Sequence, residues 1–351
     1  MLEAIDYVPI LHTRVAEVKA LSNVPTPLKD FIFPLFVLRP WQNASHIDFF
    51  WDKVTDAISD RPFAVDLDGQ YEIKAGRSSD QEFDALRNPQ GGFQEYFDFV
   101  RAHSQFAVPV IQHRGADAEC VSEQARLANQ LGRGAFYRLP VGSAQALTLL
   151  TDHVLDQVER LVVVIDAGWG LNILEHQVWA SGVVDRCMQA EEQPEFVVAG
   201  SSFPNSFSHI RGREELPIYE RELFSAVSRR HNEAEITYGD WGSTRPPSSS
   251  GGGGEIPPRI DWPRLGDWVC FRADDGESYQ DVANSVIEED DWDPDHSSWG
   301  MYLIQSTAEG APNGIRTPGA AAAARINLHL ISQAAHGVHD WTEDDEPYPD
   351  D

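Results

Sequence analysis

The chain has 351 residues, of which 42% are hydrophobic and 10% aromatic, including ten tryptophans. This composition can build a large folded core and excludes a wholly disordered chain. The 56 acidic and 27 basic residues give a formal net charge of −29, which argues against general nucleic-acid binding unless the few bases cluster in one place.

Short apolar segments rich in Val, Ile and Phe recur through the first two-thirds of the chain, separated by stretches with helical spacing of apolar residues. The predicted strands are residues 8–11, 33–38, 63–67, 108–111, 135–139, 161–165, 196–199 and 236–238. Several of them are nearly continuous apolar runs, which is typical of strands covered by helices. The alternation indicates repeated βαβ units.

Helical patterns fit the gaps between these strands. The clearest are residues 45–59, 122–131, 143–155 and 217–229. Ser122 and Ser143 stand where N-cap residues are expected. An α/β fold with eight such units predicts a (β/α)8 TIM-like barrel with a C-terminal extension, whereas an open doubly wound sheet would gather only some of the strand ends.

The chain divides into four predicted parts. Residues 1–244 form the main α/β-barrel, and the sequence STRPPSSSGGGGEIPP predicts a flexible linker or loop at residues 245–260. Residues 261–337 contain the strand-like WVCFRA, the helical SYQDVANSVIE and the apolar MYLIQ, and either pack on the barrel or complete it. Residues 338–351 are predicted to be a disordered acidic tail.

Nearly every predicted strand ends in polar residues, which a closed barrel would gather at one rim. The acidic candidates for catalysis are Asp66, Asp68, Asp166 and Asp240. The candidates for ligand binding are Arg39, His113, Arg114, Arg138, Ser201 and Ser202. Asp66 and Asp68 point to the same side of a strand, where they could bind a hard divalent cation, share acid and base roles, or cap the next loop.

The basic and hydroxyl candidates also have alternatives. Arginines at the rim suit a phosphate or carboxylate ligand, or they neutralise the rim acids in a salt-bridge network. Ser201 and Ser202 end the seventh strand, where they could meet a phosphate or cap a tight turn. His329 is an acid or base candidate if residues 325–329 form a strand, although the preceding alanine run favours a helix.

Several kinds of site find no support in the sequence. GxGxxG, P-loop and HExxH motifs are absent, so no nucleotide cofactor or zinc site is assigned and the cofactor is left unknown. The cysteines, Cys120, Cys187 and Cys270, fit neither a disulfide framework nor a CxxC metal site. With no secretion signal and no apolar run of roughly 18 residues, we expect a cytoplasmic protein off the membrane.

The segments YVPILHTRVAEVKAL, FIFPLFVLRP, RPFAVDLDG, VPVIQ, YRLP, VVVIDAG, VVAGSSFP and YGDWG, in that order, resemble the Beta-protein family of bacteriophages, prophages and bacterial islands. The resemblance covers about residues 7–330. It implies that the gene lies beside mobile-element and defence genes. The family takes its name from a phage protein regarded as protecting its host from the product of a neighbouring gene. His12, Ala16, Asn327 and His329 depart from the family pattern, and the resemblance supplies no catalytic residues.

Two functions follow as expectations. The first is a protein that acts by binding and protects against a toxic partner encoded nearby, with its negative charge suited to a basic effector. The second is a barrel hydrolase for a phosphorylated or sugar substrate at the acid- and Arg-lined rim. If the rim is the working site, Asp66→Asn or Asp240→Asn should keep the fold and lose function, and convergence of the rim residues on one pocket would favour an enzyme.

Overall fold

A computed structural model describes residues 1–74, 76–103, 105–207, 209–247, 257–294 and 298–336. Its main sheet is built from eight parallel strands that follow one another around a barrel. These strands are β1 (Tyr7–His12), β2 (Leu35–Leu38), β3 (Phe63–Leu67), β4 (Ala107–Pro109), β5 (Ala135–Pro140), β6 (Leu161–Trp169), β7 (Glu195–Ser201) and, after the inserted β8 (Arg213–Pro217), β9 (Ile236–Asp240).

The two edges of this sheet nearly close on each other. A parallel bridge joins Val110, just after β4, to Phe136 in β5, and the amide of Ile111 donates to the carbonyl of Phe136 at 2.8 Å. At the other side of the barrel, β1 pairs with β2 and with β9. The predicted TIM-like (β/α)8 barrel is confirmed, and all eight predicted strands are present within a few residues.

Helices alternate with the barrel strands and cover them. They are α1 (Val15–Ser22), α2 (Thr26–Lys29), α3 (Phe49–Ile58), α4 (Ser78–Leu86), α5 (Gln90–His103), α6 (Ala118–Leu131), α7 (Ala144–His153), α8 (Ile173–Cys187), α9 (Glu220–Arg230), α10 (Tyr279–Ile287), α11 (Trp299–Ala308) and α12 (Pro318–Ala334). The last of them, α12, packs on α1 and so closes the helical layer. No helix within the described ranges is long and apolar enough to cross a membrane.

Two predicted helix starts are wrong. The cap of α6 is Asp117 rather than Ser122, because the Asp117 carboxylate accepts a hydrogen bond from the amide of Cys120. The helix predicted from residue 217 begins at Glu220, because Pro217 is the last residue of the strand β8. The N-cap at Ser143 is confirmed, since its hydroxyl accepts from the amide at the third residue of α7.

The barrel strands alternate between an inner and an outer apolar layer. Inward side chains such as Val8, Ile10, Val37, Val164 and Val197 fill the barrel. Outward side chains form a larger core with the covering helices. Because neighbouring strand residues point to opposite sides, a polar residue at the end of a strand faces the barrel interior or the helices according to its position alone.

The chain after the barrel strands adds a small antiparallel sheet. β10 (Arg259–Pro263) and β11 (Asp267–Arg272) form a hairpin, and β11 also pairs with β8. The segment after the linker is thus joined to the connection between β7 and β9. The fourfold division of the chain stays a prediction. The tail at 338–351 and most of the predicted loop, at 248–256, lie outside the described residues.

Candidate functional site

A buried ion-pair network lies inside the carboxyl end of the barrel. Arg138 donates to one carboxylate oxygen of Asp66 at 2.7 and 2.5 Å and to Asp166 at 3.0 Å. The other oxygen of Asp66 accepts from the Gln112 amide at 2.9 Å, and that of Asp166 accepts from the Trp241 indole at 3.0 Å. Although burial opposes it, attraction to the two carboxylates raises the pKa of Arg138.

An aromatic side chain packs against this network. The Trp241 ring lies 5.6 Å from the Arg138 guanidinium carbon and 5.4 Å from the His12 ring. Burial, followed by Arg14 and Arg39, holds the pKa of His12 well below its usual range. The salt-bridge alternative for Arg138 is therefore the arrangement found, and both acids of the network already accept several hydrogen bonds.

Asp240 lies at the same end of the barrel but points outward, between the sheet and α12. Its carboxylate accepts from the hydroxyls of Tyr7 at 2.5 Å and Tyr238 at 2.7 Å and from the amide of Gly242 at 2.7 Å. Nε2 of His329 lies 2.7 Å from the same carboxylate. Burial opposes ionisation, but His329 and these donors hold the pKa of Asp240 below its usual range.

The outward direction of Asp240 separates the predicted acidic candidates into two groups. His329 is on the helix α12, so the helical alternative for residues 325–329 is confirmed. Its side chain is buried against the outside of the barrel. Asp240 and His329 thus share one buried network, while Asp66 and Asp166 share another inside the barrel, and the structure does not bring the two pairs into one pocket.

Asp68 and the two arginines near it are at the mouth itself. Asp68 accepts from the amide of Gln70 at 3.0 Å, as a loop-capping aspartate does. Its other oxygen lies 3.8 Å from Arg39 Nη1, which is longer than a direct hydrogen bond. Arg114 is exposed and lies over Gly69.

The remaining predicted ligand-binding residues make mostly internal contacts. Ser201 donates to the carbonyl of Thr244 at 2.6 Å, and Ser202 donates to Glu220 at 2.8 Å. Both serines are buried, which matches the capped-turn alternative. Burial lowers the pKa of His113 to about 4, so its imidazole is neutral near pH 7.

A basic cleft of about 810 Å³ opens at the mouth of the barrel, between the loops after β1, β2, β3, β7 and β9 and the first half of α12. Its basic lining residues are Arg14, Arg39, Lys74, Arg77, Arg245, Arg259 and Arg325. The one carboxylate among its described lining residues is Glu17. In a chain with a net charge of −29, this local excess of positive charge distinguishes the cleft from the chain as a whole.

Several cations of the basic cleft lack a close carboxylate. Arg14 lies 3.5 Å from Glu17, and within the described part of the chain no ion pair holds Lys74, Arg245 or Arg259. Unbalanced positive charge attracts anions and raises their local concentration. The basic cleft is therefore suited to an anionic ligand.

Five of these arginines, Arg14, Arg39, Arg245, Arg259 and Arg325, are close enough for each to be repelled by at least one other. Burial and then Arg14 lower the pKa of Arg39, and burial, Arg259 and Arg14 lower that of Arg245. Burial and Arg259 also lower the pKa of Arg325, against the attraction of its Asp261 partner.

Glu17 is a buried acidic side chain of the basic cleft with one unsatisfied carboxyl oxygen. It is 2% exposed, in the first turn of α1, and its Oε1 accepts no hydrogen bond from a described residue. Burial raises the pKa of Glu17, although Arg14 and Arg39 oppose the shift. Ionised Glu17 is therefore costly to the folded state.

Replacing this side chain by Glu17→Gln is expected to stabilise the protein at pH 7.5. A raised folded pKa favours folding below the unfolded value of about 4.5, and this advantage is lost as the pH rises. The gain should reach about 1–3 kcal/mol, because glutamine fills the same space without a buried charge, and should shrink at pH 5.5. Urea unfolding at both pH values measures it, with exposed Glu72→Gln as the control. An equal gain in stability at pH 5.5 and pH 7.5 would contradict a raised pKa of Glu17.

Sequence reasoning missed most of the basic cleft. Arg14 stands among the polar residues at the end of the first predicted strand, but it is not one of the predicted ligand-binding candidates. Lys74 and Arg77 lie in a connection without regular periodicity, and Arg245 and Arg259 lie near the two ends of the predicted linker at residues 245–260. No local pattern indicates that these segments meet. Within the described ranges, no group of three or more His, Cys, Asp or Glu side chains is placed to hold a metal ion.

The family described as Beta protein matches residues 7–335, a span that includes the barrel, the basic cleft and α12. The chain belongs to the Beta protein family. Protein beta of Enterobacteria phage P4 is 27% identical to it over 358 residues, with 98% of each chain covered. The predicted family resemblance is confirmed, and both comparisons extend past the barrel strands, so the hairpin and α12 belong to the shared region.

Proposed function

We propose that this member of the Beta protein family acts by binding a phosphorylated ligand in the basic cleft. The observation that carries the proposal is the lining of six arginines and one lysine, of which Lys74, Arg245 and Arg259 form no ion pair with a described acid, while the other four are paired with Glu17, Asp68, Asp80 and Asp261. Guanidinium groups bind phosphate oxygens through paired, charge-assisted hydrogen bonds. The volume of about 810 Å³ falls in the range of about 300–1,000 Å³ that is usual for ligand pockets.

The arrangement of the acids supports binding over the hydrolase alternative. A hydrolytic acid or base has to reach the substrate directly or through one water molecule. Asp66 and Asp166 are held by Arg138 inside the barrel, where Trp241 also donates to Asp166, and Asp240 faces α12. Glu17 is the one acid among the described residues that lines the basic cleft, and its carboxyl is buried beside Arg14.

The protective role implied by the resemblance is part of this proposal. We propose that the protein works in the cytoplasm, meets a toxic partner encoded nearby, and needs an intact basic cleft to protect against it. The net charge of −29 supports attraction of a basic partner to surfaces outside the basic cleft. Ligand binding and protection would then fail together when the cleft charge is removed.

Calorimetric titration with inorganic tripolyphosphate tests the binding step. The double variant Arg245→Ser/Arg259→Ser should bind at least tenfold more weakly than the original chain, because it loses two charged donors. Arg126→Ser/Arg229→Ser removes two exposed arginines outside the basic cleft and should bind normally. The same variants in a rescue assay with co-expressed neighbouring genes test protection. Failure of tripolyphosphate to bind, or equal binding by both double variants, would overturn the proposal.

A further inference from the structure

The Glu17 carboxyl in the lining of the basic cleft has an oxygen atom without a hydrogen-bond donor. This atom, Oε1, lies 3.5 Å from Arg14 Nη1, which is an ion-pair contact but too long for a good hydrogen bond. The side chain is buried, and buried polar groups are nearly always paired because an unpaired one is costly. The site therefore has an acceptor to which a bound ligand could donate.

The lining on either side of Glu17 supplies no such donor. Val15 and Ala16 precede it in the chain, and α12, which packs on α1, contributes Ala322 and Ile326 to the same cleft. None of these four side chains can donate a hydrogen bond. At about 810 Å³, the basic cleft has room for an organic ligand. Such a ligand can bring both the missing donor and a carbon skeleton that covers the apolar side chains.

The effect of Glu17 on stability supports a role in recognition. Glu17→Gln is expected to stabilise the protein, so the native carboxyl lowers the stability of the fold. Binding sites commonly retain side chains that weaken the fold, because the ligand uses the same groups. This carboxyl lines an open cleft rather than a closed core. Its position and its cost together favour contact with a ligand.

The charges near Glu17 favour a neutral donor over a charged one. Arg14 is beside the carboxyl, and Arg39 and Arg325 line the same cleft. These cations would repel an ammonium group, whereas a phosphate in direct contact with Glu17 would be repelled by the carboxylate. A hydroxyl group carries no charge and donates one hydrogen bond. The group that meets Glu17 is therefore best supplied by an alcohol.

The phosphate of the ligand has a different place in the basic cleft. Arg245 and Arg259 form no ion pair with a described acid, whereas the other lining arginines are already paired with carboxylates. Arg245 and Arg259 also lie close enough to repel each other. A phosphate group bound to both would relieve this repulsion and accept hydrogen bonds from two guanidinium groups.

We infer that the basic cleft binds a sugar phosphate, with its phosphate on Arg245 and Arg259 and a sugar hydroxyl that donates to Oε1 of Glu17. This inference rests on the proposed function and narrows its ligand. The two arginines select for the phosphate, and Glu17 selects for the hydroxyl. Tripolyphosphate has no hydroxyl-bearing carbon skeleton, so it tests the arginines without Glu17.

Calorimetric titration with matched pairs of phosphate monoesters tests the inference. Ribose 5-phosphate and glucose 6-phosphate are compared with n-pentyl and n-hexyl phosphate, which have the same numbers of carbon atoms and lack the sugar hydroxyls. At least one sugar phosphate should bind tenfold or more tightly than its alkyl counterpart, as expected for a hydrogen bond to a charged group. This comparison uses the original chain and needs no variant.

The variant Glu17→Met removes the acceptor and keeps a side chain of similar length. It should bind the preferred sugar phosphate roughly tenfold more weakly. The alkyl phosphates and tripolyphosphate should bind at least as tightly as before, because a negative charge has left the cleft. Glu72→Met, at an exposed glutamate outside the basic cleft, is the matched control. Circular dichroism verifies that each variant is folded.

The outcomes distinguish this inference from the proposed function. Equal affinity for the sugar and alkyl phosphates would overturn the inference, and so would an equal loss of all ligands in folded Glu17→Met, which indicates a structural role. If tripolyphosphate still binds and Arg245→Ser/Arg259→Ser still weakens it, the proposed function stands in either case. If neither tripolyphosphate nor any monoester binds to the original chain, the proposed function fails as well.

Discussion

Replacing Arg138 by methionine is expected to lower the free energy of unfolding by about 3–5 kcal/mol, because it leaves two buried carboxylates without their cation. Asp66 is 4% exposed and Asp166 is 2% exposed, and Arg138 is the basic side chain that contacts both. Methionine fills similar space without charge or donors. Urea unfolding followed by circular dichroism measures the loss.

A matched variant separates charge from packing in this experiment. Arg138→Met combined with Asp66→Asn and Asp166→Asn removes all three charges, and the acceptor oxygens of both asparagines still face Gln112 and Trp241. This triple variant should regain most of the lost stability, since replacing a whole buried ion network costs less than breaking it. A single variant as stable as the original chain would show that the two acids are already neutral or hydrated.

The second large effect is expected for Asp240→Asn, which should lose about 2–4 kcal/mol of stability. The carboxylate receives two tyrosine hydroxyls, one backbone amide and the contact with His329, and an asparagine amide nitrogen cannot accept from these donors. Exposed Asp56→Asn is the control and should change stability little. Urea unfolding and tripolyphosphate titration of the folded variant are measured together.

The two readouts for Asp240→Asn decide between a structural and a functional carboxylate. Tripolyphosphate affinity should be unchanged, because Asp240 faces α12 and does not line the basic cleft. The sequence alone predicts the reverse, normal folding with lost function, because it places this carboxylate on a shared rim. Normal stability together with lost tripolyphosphate binding would therefore support the sequence-based expectation that Asp240 is a functional carboxylate.

The strand positions were predictable, whereas the directions of their last side chains were not. Runs such as residues 161–165 are apolar on both faces, so their burial is evident from composition. The polar end of a strand shows where the chain reaches the rim, but the face depends on alternation at single-residue precision. Asp166 and Asp240 look equivalent in sequence for this reason, and they belong to different networks.

The basic cleft was not predictable as a unit because its parts come from segments far apart in the chain. Arg14 and Arg259 are 245 positions apart by their numbers, and the strand β8 that anchors the later hairpin has the polar sequence REELP. A net charge of −29 describes the average of the chain and conceals a local excess of bases. Only the folded arrangement brings these arginines together.

The first strand and the first helix of the chain both pack against elements that come much later in the sequence. β1 pairs with β9, α1 packs on α12, and the Asn327 side chain donates to the carbonyl of Ala20 at 2.9 Å. During synthesis on the ribosome, the first strand and helix therefore lack these two partners until more than 200 further residues have been made. Such non-local closure slows folding and leaves apolar surface open on the nascent chain. Release of a chain that stops before α12 would leave α1 uncovered and Asp240 without His329, so incomplete copies should be prone to aggregation and degradation.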